Sequence, residues 1–325
     1  MFVFLLLLML STVIAAASPQ ASVQNCSVSF DHVYHGVHVD CSNRGFSQIP
    51  KDFPDNTTSI ELGGNKIVTV SNDSFVMLHN LYFLSLEGNR ISLIENSAFA
   101  TLNCLEILRI NANNVCLKGD VLDGLSMLKE LALDGCISGR IFRHLHGLQT
   151  LVVYANGIVS FDGCTYLKSL VTIKLNGPIN LQNNSFAECK DLKNLKTIAI
   201  EGPISYLQKC AFCHVKVEVV SMVHTQIGIK KTLSSLYGLQ NTTLASLKMN
   251  RVIFLKTFHE GNEAKNHMIY KEDMHYLLNM CIKSLTFSFN DILYIDLPAI
   301  ERSLLGRCLT HLDLSRNRLK YFPFD

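Results

Sequence analysis

One spacing of apolar residues, repeated along most of this 325-residue chain, restricts its fold more than any other feature. Leu81, Leu84 and Leu86 are followed by Asn89 and Ile91, and the same offsets return as Leu105, Leu108, Ile110, Asn113 and Val115. Clear copies follow at Leu148, Leu151, Val153, Asn156, Ile158 and at Leu309, Leu312, Leu314, Asn317, Leu319. Ile60, Leu62, Asn65 and Ile67 make a weaker first copy, and others begin at Leu128, Leu170, Leu195, Val217, Leu244 and Ile282. Eleven copies in phase, mostly 20 to 27 residues apart, exclude an ordinary single-core domain. Each short apolar–x–apolar segment reads as a strand with alternate side chains turned inward. One coil cannot bury its own apolar face, so stacked coils must share a continuous interior.

This is the pattern of a leucine-rich repeat. The expected fold class is an α/β repeat: a horseshoe-shaped solenoid with a parallel β-sheet on its concave face and an N-terminal disulfide cap. The repeating Asn should bond the backbone of neighbouring coils where the chain leaves the strand, satisfying groups that would cost about 1–3 kcal/mol each if buried unpaired. Phe75, Phe99, Leu122 and Phe142, each six residues before the next leading Leu, predict a second apolar spine near the convex side. Cys136, Pro178, Pro203, Thr225 and Val252 stand at the Asn position of the middle repeats, which predicts irregular turns between about 136 and 255. From Leu244 to Ile282 the step is 38 residues. The polar stretch from His259 to Asp273 reads as an inserted loop, and Met274, Leu277, Leu278 and Met280 as a short helix on the convex side.

Phe2 to Leu10 is an unbroken apolar run, extended by Val13 and Ile14 and closed by Ala15-Ala16-Ala17. It reads as a secretory signal peptide cleaved after Ala17, too short for a ~20-residue membrane span. The expected organisation is a signal peptide at 1–17, an N-terminal cap at 18–56 and a repeat array at 57–325, with the insertion near 255–280 and no C-terminal cap. Eleven Cys in an exported chain predict disulfides, and the odd count leaves one thiol over. Of five N-x-S/T sequons, Asn56, Asn72, Asn183 and Asn241 are expected to carry glycans, whereas Asn25 is compromised by Cys26 between it and Ser27.

The cap follows from Cys26 to Cys41, then Cys41-Ser42-Asn43-Arg44-Gly45, Ile49-Pro50 and Asp55-Asn56-Thr57-Thr58. Alternation across Val33, Val37 and Val39 predicts a small hairpin closed by a Cys26–Cys41 bridge. With its sequons and irregular long repeats, the chain resembles the N-terminal part of a Toll-like receptor ectodomain. That resemblance implies an innate immune role: binding a protein or microbial ligand, receptor dimerisation, and attachment to the membrane through a C-terminal segment that carries a span and a TIR signalling domain. Neither follows Leu319-Lys320-Tyr321-Phe322-Pro323-Phe324-Asp325, and an uncapped end implies a partial receptor. The rival expectation is a secreted or matrix-associated repeat protein acting in adhesion or as a decoy.

Other constellations read as structural. Cys210-Ala211-Phe212-Cys213-His214 matches a haem-attachment pattern, but it sits between repeats with no room for the cofactor and no further zinc ligands at matching spacing. Cys281 and Cys308 occupy equivalent positions on adjacent coils, about 4.8 Å apart, where side-chain direction decides whether they bridge. Cys164 and Cys189 fall on the convex spine, and Cys104, Cys116 and Cys136 are not assigned by spacing. His259, His267 and His275 read as surface histidines. No nucleophile elbow or phosphate-cradling Gly loop occurs, so no catalytic residue, metal site or cofactor is expected.

The outward strand positions carry acidic Glu61, Glu87, Glu130, Asp134, Glu201 and Asp313 against basic Arg109, Lys174 and Lys248. This balance argues against nucleic acid on the concave face, because such affinity comes from Lys and Arg. Phe83, Tyr154, Val219 and Val223 are the apolar exceptions, and no ligand-binding residue is singled out.

Overall fold

The computed structural model describes residues 23–113, 115–136, 140–240, 242–252 and 263–320. The expected signal peptide, Asn241 and His259 lie outside the described residues. Within them the chain forms a leucine-rich-repeat solenoid around a sheet of thirteen strands. Two strands belong to an N-terminal hairpin, Ser27–Asp31 antiparallel to Gly36–Asp40, and every later junction is parallel. Register runs coil by coil through Ser59, Phe83, Ile107, Glu130, Thr150, Thr172, Thr197, Val219, Ser246, Ser284 and His311. Side chains at these positions share one face, since alternation is fixed by the pleat. The intervening Leu84, Leu108, Leu131, Leu151, Ile173, Ile198, Val220, Leu247 and Leu285 are fully buried.

The convex side of the core is the predicted spine. Phe75, Phe99, Leu122 and Phe142 are buried, and the Phe75 and Phe99 rings stack at 6.1 Å. In the next two coils the spine position is taken by Cys164 and Cys189, which are joined with Cα atoms 5.2 Å apart. The aromatics there move three residues earlier: Phe161 stacks on Phe186 at 5.0 Å and Phe186 on Phe212 at 6.1 Å.

The Asn ladder is present only where the sequence supplies Asn. Asn89 Nδ2 donates to the Leu62 and Leu86 carbonyls, both at 2.9 Å, while its Oδ1 accepts the Ile67 N–H. Asn65, Asn113, Asn290 and Asn317 repeat that arrangement. Through the middle coils the backbone replaces it: Gly157–Ile158, Ile179–Leu181 and Ile204–Leu207 form a second, three-stranded parallel sheet. The Pro178 and Pro203 carbonyls accept from Gly157 and Ile179. A ring nitrogen cannot donate but its carbonyl still accepts, so Pro at the Asn position is compatible with this second sheet.

Two expectations need correction. The stretch from His259 to Asp273, read as an inserted loop, carries in its described part a short helix at Glu263–Asn266 and a strand at Met268–Ile269 that pairs in parallel with Tyr294–Ile295. Asn156 and Ile158 complete the repeat pattern in sequence, but both are exposed, Ile158 by 63%, and Val159 is buried instead. The neighbouring coils carry Cys136 and Pro178 in place of Asn, so Asn156 has no ladder to join and the chain turns one residue later.

Cys26–Cys41, Cys116–Cys136, Cys210–Cys213 and Cys281–Cys308 are also joined, leaving Cys104 free. With Cys210 and Cys213 bonded to each other, neither sulfur is available for a thioether. The predicted helix appears at His275–Leu278, with Met274, Leu277, Leu278 and Met280 buried beneath it. Among the described residues no helix is long and apolar enough to cross a membrane.

Candidate ligand-binding surface

The concave face has two distinct regions. At its N-terminal end the hairpin turn folds over the first coils and borders an open hollow of about 400 Å³ lined by Phe30, Asp31, His32, Tyr34, His38, Ser59, Glu61, Phe83 and Ile107, among others. Asp31 holds the turn: its carboxylate accepts the Val33 and Tyr34 N–H groups at 2.9 and 3.1 Å and the buried Thr58 hydroxyl at 3.0 Å. Burial works to raise this carboxyl, but those bonds and nearby His38 outweigh it and hold it below the usual range. Tyr34 stacks flat on Tyr82 with centroids 4.6 Å apart, and the His38 Nδ1 lies 2.8 Å from the Ser59 hydroxyl. Glu61, half-buried in the floor, is pushed above the ordinary carboxylate range by desolvation, opposed by a Ser85 hydrogen bond and by Arg109. An apolar, aromatic hollow with a few fixed polar groups is the usual form of a small-ligand or side-chain pocket.

In the middle of the face a more polar hollow of about 300 Å³ is lined by Glu87, Arg109, Asn111, Glu130, Tyr154, Lys174, Asn176 and Glu201, among others. Arg109 pairs with Glu130 at 3.2 Å and lies over the Phe83 ring at 5.4 Å. Asn111 Nδ2 donates to Glu87 at 2.9 Å. Asp134 accepts the Ala112 and Asn113 N–H groups, both at 2.9 Å, yet desolvation raises its carboxyl. Lys174 is exposed and has no ion pair among the described residues. The polar strand residues expected on this face therefore divide into a paired set and an available set.

The rim where strands end forms a third feature. The residue two after the second inward strand position is left-handed in nine coils: Gly64, Gly88, Ala112, Gly177 and Gly202, then His224, Arg251, Phe289 and Arg316. For non-glycine residues this conformation costs about 1–2 kcal/mol. At Gly177 close approach enforces glycine as well: a Cβ there would lie 2.5 Å from the Ala155 carbonyl oxygen. Beside this smooth part lies a hollow of about 650 Å³ lined by Asn113, Asp134, Tyr154, Ile158 and Pro178, among others.

Sequence reasoning named Glu61, Glu87, Arg109, Glu130, Asp134, Tyr154, Lys174 and Glu201 as concave residues, and the structure places them around these hollows. It missed Phe30, His32, Tyr34 and His38, because hairpin alternation does not reveal which way the turn folds. It also missed the rim column, although the change from Gly and Ala to His, Arg, Phe and Arg at a fixed repeat offset is visible once repeats are aligned. Asn56, Asn72 and Asn183 are exposed.

A family model described as leucine rich repeat matches residues 55–115. Leucine-rich repeat-containing protein 3 of Bos taurus is 38% identical over 76 residues, 23% of this chain and 27% of that protein. Biglycan of Xenopus laevis is 46% identical over 46 residues, 14% of this chain and 12% of its own length. The mouse RP105/MD-1 complex contains a chain with 21% identity and a TM-score of 0.61, covering 88% of this chain and 47% of that one. The chain thus spans about a quarter or less of the curated relatives it matches and about half of the structural one. Its fold is a leucine-rich-repeat solenoid, as is that of the RP105 chain.

Proposed function

We propose that this chain is the extracellular ligand-recognition region of a Toll-like innate immune receptor. The reading includes export with loss of residues 1–17, glycans at Asn56, Asn72, Asn183 and Asn241, dimerisation, and membrane attachment through sequence beyond Asp325. One observation carries it: an in-register strand face, built on a rigid stack, offers an aromatic hollow at one end and a charged hollow at its centre. Five disulfides support passage through an oxidising compartment. The RP105 chain of similar fold is in complex with MD-1, which supports a protein among the ligands.

The test is a binding screen of the secreted chain against microbial extracts and soluble proteins, repeated with Phe83→Ser and Tyr154→Ser. Ligand binding that falls at least about tenfold in both variants, with unchanged melting temperature, supports recognition on this face. Binding untouched by either places recognition elsewhere and overturns that part of the reading. The biglycan match favours a second reading, a secreted or matrix-associated adhesion or decoy protein. Sequencing the transcript past the Asp325 codon separates the two: a membrane span with a TIR-coding stretch supports the receptor, and a cysteine cap followed by a stop codon supports the secreted protein.

A further inference from the structure

The rim changes character at the eighth coil. His224, Arg251, Phe289 and Arg316 follow one another on successive coils, all left-handed, with φ of 59°, 53°, 60° and 55°. They touch in sequence. The Arg251 Nη1 lies 2.9 Å from the His224 Nε2, the Arg251 guanidinium lies over the Phe289 ring at 4.9 Å, and that of Arg316 lies over the same ring at 4.8 Å. Because arginine can only donate, His224 accepts through Nε2. Neither guanidinium has an ion-pair partner among the described residues, and His224, Arg251 and Arg316 are exposed while Phe289 is half-buried. Large side chains held where glycine serves elsewhere in the same molecule point to a use that outweighs the backbone strain.

We propose that this ladder is a docking site for an acidic segment of a protein partner, with Arg251 and Arg316 each gripping a carboxylate. The geometry fits that chemistry. A guanidinium laid on an aromatic ring has its planar fork of N–H donors fixed, and such a fork matches a carboxylate in bidentate fashion. The two forks are two coils apart, about 10 Å at the strand spacing, so they address two acidic side chains of one segment. Arg318, Lys248 and His311 lie on the same coils, and among the described residues the acids on those strands and turns are Asp291 and Asp313. The Asp313 carboxylate accepts the Ser315 N–H at 2.8 Å, and among the described residues neither Asp291 nor Asp313 forms an ion pair with Arg251 or Arg316. A nucleic acid would need an open aromatic face for its bases, whereas Phe289 lies between guanidiniums from the coil before and the coil after. The site is separate from the concave hollows and does not depend on their being the recognition surface.

The experiment uses the intact glycosylated chain and fluorescence anisotropy with a fluorescein-labelled twelve-residue polyglutamate at physiological salt. An oligouridylate and a heparin-derived oligosaccharide of matched charge are run beside it. Arg251→Ala with Arg316→Ala is expected to weaken peptide binding by about tenfold or more, as loss of bidentate charge pairs does. Arg90→Ala with Arg302→Ala, removing the same charge elsewhere, should change it by less than about twofold, as for exposed charges without a partner. Phe289→Gly should also weaken binding without lowering the melting temperature, because glycine tolerates φ of 60° and only the shelf under the guanidiniums is lost. No peptide binding, equal loss in the Arg90/Arg302 control, or tighter ladder-dependent binding of the oligouridylate or oligosaccharide would each overturn the proposal. Phe83→Ser, which tests the concave reading, should leave peptide binding intact.

Discussion

At the scale of the residue, Asn89 and Thr225 show how differently one repeat position can be used. Both are buried: Asn89 bonds two carbonyls and one N–H across adjacent coils, whereas the Thr225 hydroxyl has no hydrogen-bond partner among the described residues. Asn89→Ala leaves the Ile67 N–H unpaired and removes one of two donors from the Leu62 and Leu86 carbonyls, which keep Asn65 and Asn113; it is expected to cost about 1–3 kcal/mol, read as a lower urea midpoint. Thr225→Val removes an unsatisfied hydroxyl while preserving shape, so its midpoint should stay level or rise. Equal losses in the two variants would show that the ladder contributes no more than packing volume. Gly177→Ala makes the converse point. With φ of 97° and a Cβ forced to 2.5 Å from the Ala155 oxygen, it should destabilise by about 1–3 kcal/mol, whereas the left-handed bulky residues of the last coils find open space outward.

At the scale of the element, the N-terminal hairpin depends on one carboxylate. The folded Asp31 carboxyl lies below its unfolded range, so its contribution to stability is present above the unfolded value near 3.8 and is lost as pH falls through the lower folded value. Amide exchange at Val33 and Tyr34 should therefore accelerate below about pH 4, and Asp31→Ala should show the same acceleration at neutral pH. Exchange at these amides that is indifferent to both changes would remove Asp31 as the anchor. Glu61 behaves oppositely. Its folded carboxyl is raised, so the folded state favours the protonated form and this site's contribution declines as pH rises through the raised value. The elements also show what sequence can and cannot carry. Strand positions were legible because a two-residue alternation inside a fixed repeat leaves one register, and the spine because Phe75, Phe99 and Phe142 recur at one offset. The second sheet was not, because the Pro178 and Pro203 backbone carbonyls that replace Asn have no side-chain signature. The N-terminal hollow was illegible for a related reason: Tyr34 reaches Tyr82 only through the direction of a turn set by Asp31, and direction has no period.

At the scale of the whole molecule, a stack in which each coil touches only its neighbours should answer a weakened junction locally. Cys281–Cys308 ties the last two coils across 27 residues. A closed loop of that size contributes about 3 kcal/mol, so replacing both cysteines by Ser should speed exchange in 309–319 by about a hundredfold. The first coils lie too far along a one-dimensional array to notice, and their exchange should be unchanged. If instead protection falls uniformly from Leu81 to Leu319, the coils unfold as one cooperative body and nearest-neighbour coupling does not describe this solenoid.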